Sequence, residues 1–291
     1  MSAYERCLAL VEEALVPQLE RLGEIPPGLK ESMRYSLEGG GKRIRPVMLL
    51  LTAEAMGVPD GEALPYACAL EMIHTYSLIH DDLPAMDDDD TRRGKASNHI
   101  VFGEGQAVLA GDGLLSAAME LMLLDAQSRP DLRGTRAAYA IARRCGVTGM
   151  VAGQSADLSW EGTEVTIEKV RYIHTHKTAD LLTAPVEAGL LLAGAEESAL
   201  ALGRTYGLQL GLAFQIVDDI LDVTGDPALL GKKTGLDAAA GKQTWVALRG
   251  LDGARKDARR CTEEAIEAIS QLPGDFSPLA AIARMNAERV R

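Results

Sequence analysis

Apolar residues recur at three- and four-residue intervals along most of the chain, a spacing that lays a hydrophobic stripe along an α-helix. The pattern predicts helices over residues 4–22, 43–56, 62–82, 104–126, 135–158, 178–194, 198–223 and 254–271, segments rich in Ala, Leu and Met. Gly and Pro punctuate it at Pro26-Pro27, Gly39-Gly40-Gly41, Gly57 with Pro59, Pro130, Gly225 with Pro227, and Pro273. No alternating β-branched run reaches strand length, no period repeats, and no linker divides the chain. Long helices joined by short loops predict an all-α helical bundle, a single domain over residues 1–291. Pro185 lies inside the apolar stretch 178–194 and predicts a kink there.

Composition narrows the class. The 291 residues are 47% hydrophobic, enough to bury a sizeable core and too many for a disordered chain. No stretch approaches 18 uninterrupted apolar residues, and the N-terminus lacks a basic segment followed by an apolar run. The expectation is a cytoplasmic protein with no stable membrane insertion. Cys7, Cys68, Cys145 and Cys261 form no CxxC pair, which argues against a zinc site or a disulfide framework. A net charge of −12 argues against nucleic acid as a partner. The basic residues nonetheless cluster as Lys42, Arg43 and Arg45; Arg92, Arg93 and Lys95; and Lys232 and Lys233. Positive patches on an acidic protein suit a small anionic substrate.

Two aspartate-rich segments lie inside apolar helical stretches: His80-Asp81-Asp82-Leu83-Pro84-Ala85-Met86-Asp87, and Phe214-Gln215-Ile216-Val217-Asp218-Asp219-Ile220-Leu221-Asp222. Carboxylates on apolar helices need a cation, because an unpaired buried anion is strongly penalised. A Mg²⁺ ion held between the two segments answers that need, and its shell of oxygens and waters points to a phosphate ester as substrate. Asp218 and Asp222, four apart, project from one helical face about a turn apart. Asp81 and Asp87, six apart, are roughly 120° out of register on a regular helix. They converge only if the helix ends between them. Pro84 gives a cause, since it cannot donate to the His80 carbonyl, and the two extra residues should swing Asp87 back toward Asp81.

With these residues in order, the chain resembles the short-chain trans-polyprenyl diphosphate synthases, most like the bacterial farnesyl diphosphate synthase type, from Gly39 to about Leu248. The matching positions are Gly40-Gly41-Lys42-Arg43-Ile44-Arg45-Pro46; Glu71-Met72-Ile73-His74; the first acidic motif with Arg92-Arg93-Gly94; Gly153-Gln154-x2-Asp157; Lys177-Thr178; the second acidic motif; and Gly231-Lys232-x2-Gly235-x-Asp237. The resemblance implies an isoprenoid-synthase-type bundle with a central active-site cavity, working as a Mg²⁺-dependent homodimer. It implies ionisation of an allylic diphosphate, attack by the double bond of isopentenyl diphosphate, and proton loss, with dimethylallyl or geranyl diphosphate extended to farnesyl diphosphate. Asp81, Asp87 and Asp218 would ligate Mg²⁺, supported by Asp82 and Asp222. Arg92, Lys177, Thr178, Gln215 and Lys232 would hold the allylic diphosphate. Lys42, Arg45, His74 and Arg93 would hold isopentenyl diphosphate, a site that needs no metal because cations alone neutralise it.

Plainer readings stand beside these. The Lys42–Arg45 stretch reads equally as a solvated loop, and His74 as a half-buried polar residue; His80, His99, His174 and His176 are structural by default. Lys177 and Gly231-Lys232 carry little signal alone, since no GxxxxGK[ST] loop is present. Glu71-x-x-His74 is half of a di-iron bundle site, but the second Glu-x-x-His that such a site requires is missing from the sequence. A terpene cyclase would carry an Asn/Ser/Glu metal motif in place of the second acidic segment, and a non-catalytic prenyltransferase subunit would have lost acidic motifs. Product length falls to Tyr76 and Ser77, about one turn before Asp81 and so expected to face the growing tail. The large Tyr76 favours a fifteen-carbon product, with geranylgeranyl diphosphate as the alternative. The tail from Arg284 to Arg291 lacks the clear basic ending of the family, which puts a closing role for the C-terminus in doubt.

Overall fold

The structure, a computed structural model, describes residues 1–164, 166–225 and 244–290. Lys232 and the rest of its Gly231–Asp237 motif lie outside the described residues. The predicted helices appear as α1 (Ala3–Glu20), α3 (Ile44–Ala55), α4 (Asp60–Asp81), α6 (Glu104–Ser128), α10 (Asp180–Leu192), α11 (Glu197–Thr224) and α12 (Trp245–Ser270).

Four helices carried too little pattern to be foreseen: α2 (Pro27–Leu37), α5 (Asn98–Phe102), α9 (Ile167–Ile173) and α13 (Ser277–Glu288). The expected helix over 135–158 is two, α7 (Arg133–Cys145) and α8 (Met150–Trp160), parted where Gly146 and Gly149 interrupt the apolar stripe. A two-residue hairpin, β1 (Thr91–Arg92) against β2 (Lys95–Ala96), also went unforeseen. At Pro185 helix α10 runs on. The departure from α geometry comes upstream instead, in a π-helical turn over His174–Ala179. Helix α12 begins earlier than expected because Thr244 caps it, its hydroxyl accepting from the Ala247 N–H, and it bends at Gly250 (φ 69°).

The chain forms two compact units. The first spans Met1–Tyr139 with Leu191–Gly194, the second Ala140–Leu190 with the chain from Ala195 onward. In the first, α4 is apolar on nearly all sides and packs against α1, α2, α3 and α6. Its Tyr66, Leu70, Met72 and Ile73 are fully buried with Val47–Leu50 of α3. Among the described residues α6 is the one helix long and apolar enough, by length and composition, to cross a membrane. It packs on α4 instead, and leaves Val108, Leu109, Leu123 and Leu124 exposed.

In the second unit, α11 is the central element and packs against α12, α13 and the π turn. Its inner face joins Leu212, Ile216, Val217 and Ile220 to Trp245, Ala254 and Cys261. Gly207 and Gly211 lie one turn apart on α11, where a Cβ would collide with the backbone of Thr183 and Ala179. This spacing lets the helix that carries the second acidic motif lie directly against the π turn and α10.

Candidate active site

In the first unit the α4 terminus is built as the sequence predicted. The helix stops at Asp81, and the chain folds back through Pro84 until the Asp87 N–H donates to the Asp81 carbonyl at 2.8 Å. The Asp88 and Asp89 N–H groups donate to the carbonyls of Leu83 and Asp82. Asp88 takes a left-handed φ of 53°, a strained geometry for a non-glycine residue that such a turn requires. Asp81 is half-buried and Asp87 exposed. Asp82 differs: it is 3% exposed and accepts from Arg92 Nε at 2.9 Å and from Arg92 Nη2. Burial raises its pKa, and the guanidinium holds it back.

The hairpin turn Arg93-Gly94 has positive φ at both residues (58° and 77°), the geometry of a two-residue type I′ loop. Arginine is strained there. The turn aims its side chain at the glycine run, where Arg93 Nη1 donates to the Gly40 carbonyl. A Cβ at Gly41 would lie 2.7 Å from the Arg93 guanidinium carbon. Gly41 is therefore the seat of Arg93, and not merely a break between helices.

Arg43, grouped with Lys42 and Arg45 in the sequence, has a separate role. It caps α3 with φ 46°, and its side chain is wholly buried. Its guanidinium donates to Glu12 and Glu71, each at 2.7 Å, and to the Leu37 carbonyl. Glu71 is thereby explained as the counter-ion of an internal arginine. On either side, Lys42 is exposed, with its carbonyl accepting from the Tyr4 hydroxyl, and Arg45 turns inward.

The electrostatics here are lopsided. Arg45 Nε is buried with no hydrogen-bond partner among the described residues. Burial lowers the Arg45 pKa to about 10 against the pull of Glu71, and Arg93 adds to the fall. Arg93 is lowered in turn, first by burial and then, against Glu71, by Arg43 and Arg92. His74 sits among them and is pushed well below the usual imidazole range, by burial first and then by Arg45, Arg93, Arg43 and Arg92. The surrounding guanidiniums disfavour its protonated form. Tyr76 is buried (7% exposed) with its ring edge-on to His80 at 5.7 Å, and the Ser77 hydroxyl donates to the His74 carbonyl.

In the second unit, helix α11 presents Gln215, Asp218 and Asp222, all half-buried, along one side. Asp218 Oδ1 lies 2.9 Å from Arg289 Nη2. Asp219 points elsewhere: it is buried, and accepts the Trp245 N–H at 2.7 Å. His174 stacks on the Trp245 ring, and its Nε2 lies 3.8 Å from Asp219. The middle aspartate thus ties α11 to α12 and to the π turn.

That turn carries Lys177 and Thr178, both half-buried, and Lys177 Nζ donates to Asp157 of α8 at 2.6 Å. Helix α8 approaches so closely at Gly153 that a Cβ there would overlap the Lys177 backbone nitrogen. At the far end of the turn, Asp180 pairs with His176 (2.8 Å) and Arg144, which also reaches Glu187 at 2.7 Å. π turns are uncommon and cluster at functional sites, where they re-aim a side chain. This one sets Lys177 and His174 on different partners. Its signal in the sequence was the pair Gly153 and Gly211, whose meaning depends on packing that the sequence does not show.

Among the described residues no three His, Cys, Asp or Glu side chains converge closely enough to form a preassembled metal cluster. The exposed or half-buried carboxylates of Asp81, Asp87, Asp218 and Asp222 are the hard oxygen donors that Mg²⁺ prefers, and one of them already holds a guanidinium. Within each unit, the pair of carboxylates is of a chemistry that fits that ion.

An all-α protein with two aspartate-rich helix segments and a nest of cations has the parts of an enzyme that handles diphosphate esters. The polyprenyl synthetase family profile matches residues 26–280, and the chain belongs to that family of prenyltransferases. It is 47% identical over 280 residues to a farnesyl diphosphate synthase of Geobacillus stearothermophilus, covering 96% of this chain and 94% of that one. To a geranylgeranyl diphosphate synthase of Cyanophora paradoxa it is 44% identical over 281 residues, with 96% and 93% covered. A solved FPP/GFPP synthase from Zymomonas mobilis superposes with a TM-score of 0.85 at 32% identity, covering 98% of each chain.

Proposed function

We propose that the chain condenses isopentenyl diphosphate with dimethylallyl or geranyl diphosphate to give farnesyl diphosphate, acting as one catalytic domain. The observation that carries this reading is the cation nest. Arg45 is half-buried with its Nε enclosed and unpartnered among the described residues, and the more exposed Arg93 guanidinium adds like charge nearby, with too little carboxylate to balance the two. Like charges held out of water are costly unless an anion joins them. A diphosphate is that anion, and neutral His74 adds a hydrogen bond to it without adding repulsion. Lys42, at the exposed edge of the nest, completes the isopentenyl diphosphate site.

Asp81, Asp87, Asp218 and Asp222 would hold Mg²⁺, with Asp82 supporting by fixing Arg92. Bound there, Mg²⁺ would supply Lewis-acid neutralisation of the charge that builds on the leaving diphosphate. Arg92, Lys177, Thr178, Gln215 and Lys232 hold that diphosphate. Its C–O bond breaks with the electron pair on oxygen, the isopentenyl double bond attacks the carbocation, and the released diphosphate accepts the proton. No protein base is required.

The chain is somewhat more similar to the farnesyl synthase (47% identical) than to the geranylgeranyl synthase (44%), and the buried Tyr76 ring would supply bulk where a fifteen-carbon tail ends. The exposed Val108, Leu109, Leu123 and Leu124 on α6 favour a homodimer. The reading places the enzyme in the cytoplasm. Chromatography of products from dimethylallyl and isopentenyl diphosphates with Mg²⁺ tests it. Farnesyl diphosphate is expected from the wild type, products of twenty carbons or more from Tyr76→Ala, and shorter ones from Ser77→Phe. A Tyr76→Ala enzyme that makes only the wild-type product at the wild-type rate places the floor elsewhere.

A further inference from the structure

The C-terminal residues have no part in the reaction described so far, yet they end on the second acidic motif. Arg289 follows the last turn of α13. Its Nη2 lies 2.9 Å from Asp218 Oδ1, its guanidinium carbon sits 5.2 Å from the centre of the Phe214 ring, and Nη1 donates to Asn286 Oδ1 at 3.3 Å. Phe214 and Asp218 are one turn apart on α11, so the guanidinium lies along the helix face that bears the motif. Asn286 is 6% exposed, which fixes that contact from the α13 side. The ring and the amide give Arg289 a seat, and the carboxylate lies within its reach.

We propose that Arg289 is a resting counter-ion of Asp218 and that it lowers the affinity of the second acidic motif for a divalent cation. The inference rests on the reading of Asp218 as a metal ligand. A guanidinium on one oxygen of Asp218 neutralises the charge that would draw the metal in, and a metal at the same carboxylate must displace it or bind against its repulsion. Both effects have one sign: Arg289 weakens metal binding. The ion pair is partly solvated, with side chains 30% and 39% exposed, so displacement is feasible and the effect moderate. Arg289 thereby offsets part of the motif's negative charge before the metal and diphosphate arrive.

The test is direct binding of Mn²⁺ to the full chain, read as loss of the free-ion signal in electron paramagnetic resonance, without substrate and at low salt. Arg289→Gln should bind Mn²⁺ about three- to fivefold more tightly than the wild type, the scale of a half-exposed ion pair. Arg289→Lys, which keeps the charge, should stay near the wild type, and the difference should shrink as salt rises. Asp218→Asn should bind far more weakly. If Arg289→Gln binds no more tightly while Asp218→Asn loses the ion, the counter-ion role is overturned and the metal reading stands. If Asp218→Asn binds as the wild type does, both fall.

Discussion

The two acidic motifs belong to differently built regions. Around the first, irregular backbone does the placing: Arg43, Asp88 and Arg93 all take positive φ, and the chain doubles back on itself after α4. Around the second, helices do the placing, through close approaches at Gly153, Gly207 and Gly211 and a π turn between α9 and α10. The charges differ as well. The first region leaves Arg45 and Arg93 short of carboxylate, whereas in the second Lys177 pairs with Asp157, Arg289 with Asp218, and Arg144 with Asp180 and Glu187. An excess of partly enclosed cation prepares a region for an anion without help. A region whose cations are already paired must exchange partners when its ligand arrives, and a metal ion is suited to drive that exchange.

Removing a proposed metal ligand should have the largest effect. Asp81→Ala should lower kcat/KM roughly 10³-fold or more, since several kcal/mol of transition-state stabilisation is lost. Chelation with EDTA should silence the wild type, and added Mg²⁺ should restore it. A variant within tenfold of the wild type would mean that the first motif needs no metal.

Gly153→Ala sharpens the contrast from the other side. Its methyl group has no room against the Lys177 backbone, so α8 or the π turn must move, at a cost of about 1–3 kcal/mol in stability. The KM for the allylic substrate should rise while that for isopentenyl diphosphate hardly changes. Equal changes in both would mean that the π turn is not specific to one substrate.

A smaller effect concerns pH. Burial lowers the His174 pKa to about 4, with Lys177 adding to the fall and Asp157 opposing it. A base whose folded pKa lies below its unfolded value favours folding while neutral. Its contribution is therefore full above about pH 6.5 and is lost as pH falls toward 4. Thermal melts of the wild type should lose stability across that window, and His174→Gln should flatten the loss. A variant with the same slope as the wild type would assign the loss to other groups.

Much of this was legible in the sequence, for identifiable reasons. The helices of the core announced themselves because burial forces a stripe every three to four residues. The fold-back at Asp87 followed from one proline and a count of six residues. The local order of lysines and arginines marked the cation clusters. What stayed hidden depends on partners distant along the chain. Nothing near Arg43 shows that Glu12 will neutralise it while Arg45, two residues on, is left short of an anion. Asp219 looks like its neighbours until Trp245 is seen to claim it, and Arg289 sits in a tail with no distinct basic pattern. Short helices such as α5 and α9 carry too few turns to show a period.

The central claim is that the first region binds a diphosphate with cations alone. Titration calorimetry of isopentenyl diphosphate into the protein in EDTA tests it most directly. The account predicts one saturable site in the wild type, weakened about 10- to 100-fold in Arg45→Gln, the scale of a lost charge-assisted contact. Binding that appears only when Mg²⁺ is added, or that is unchanged in Arg45→Gln, would contradict it.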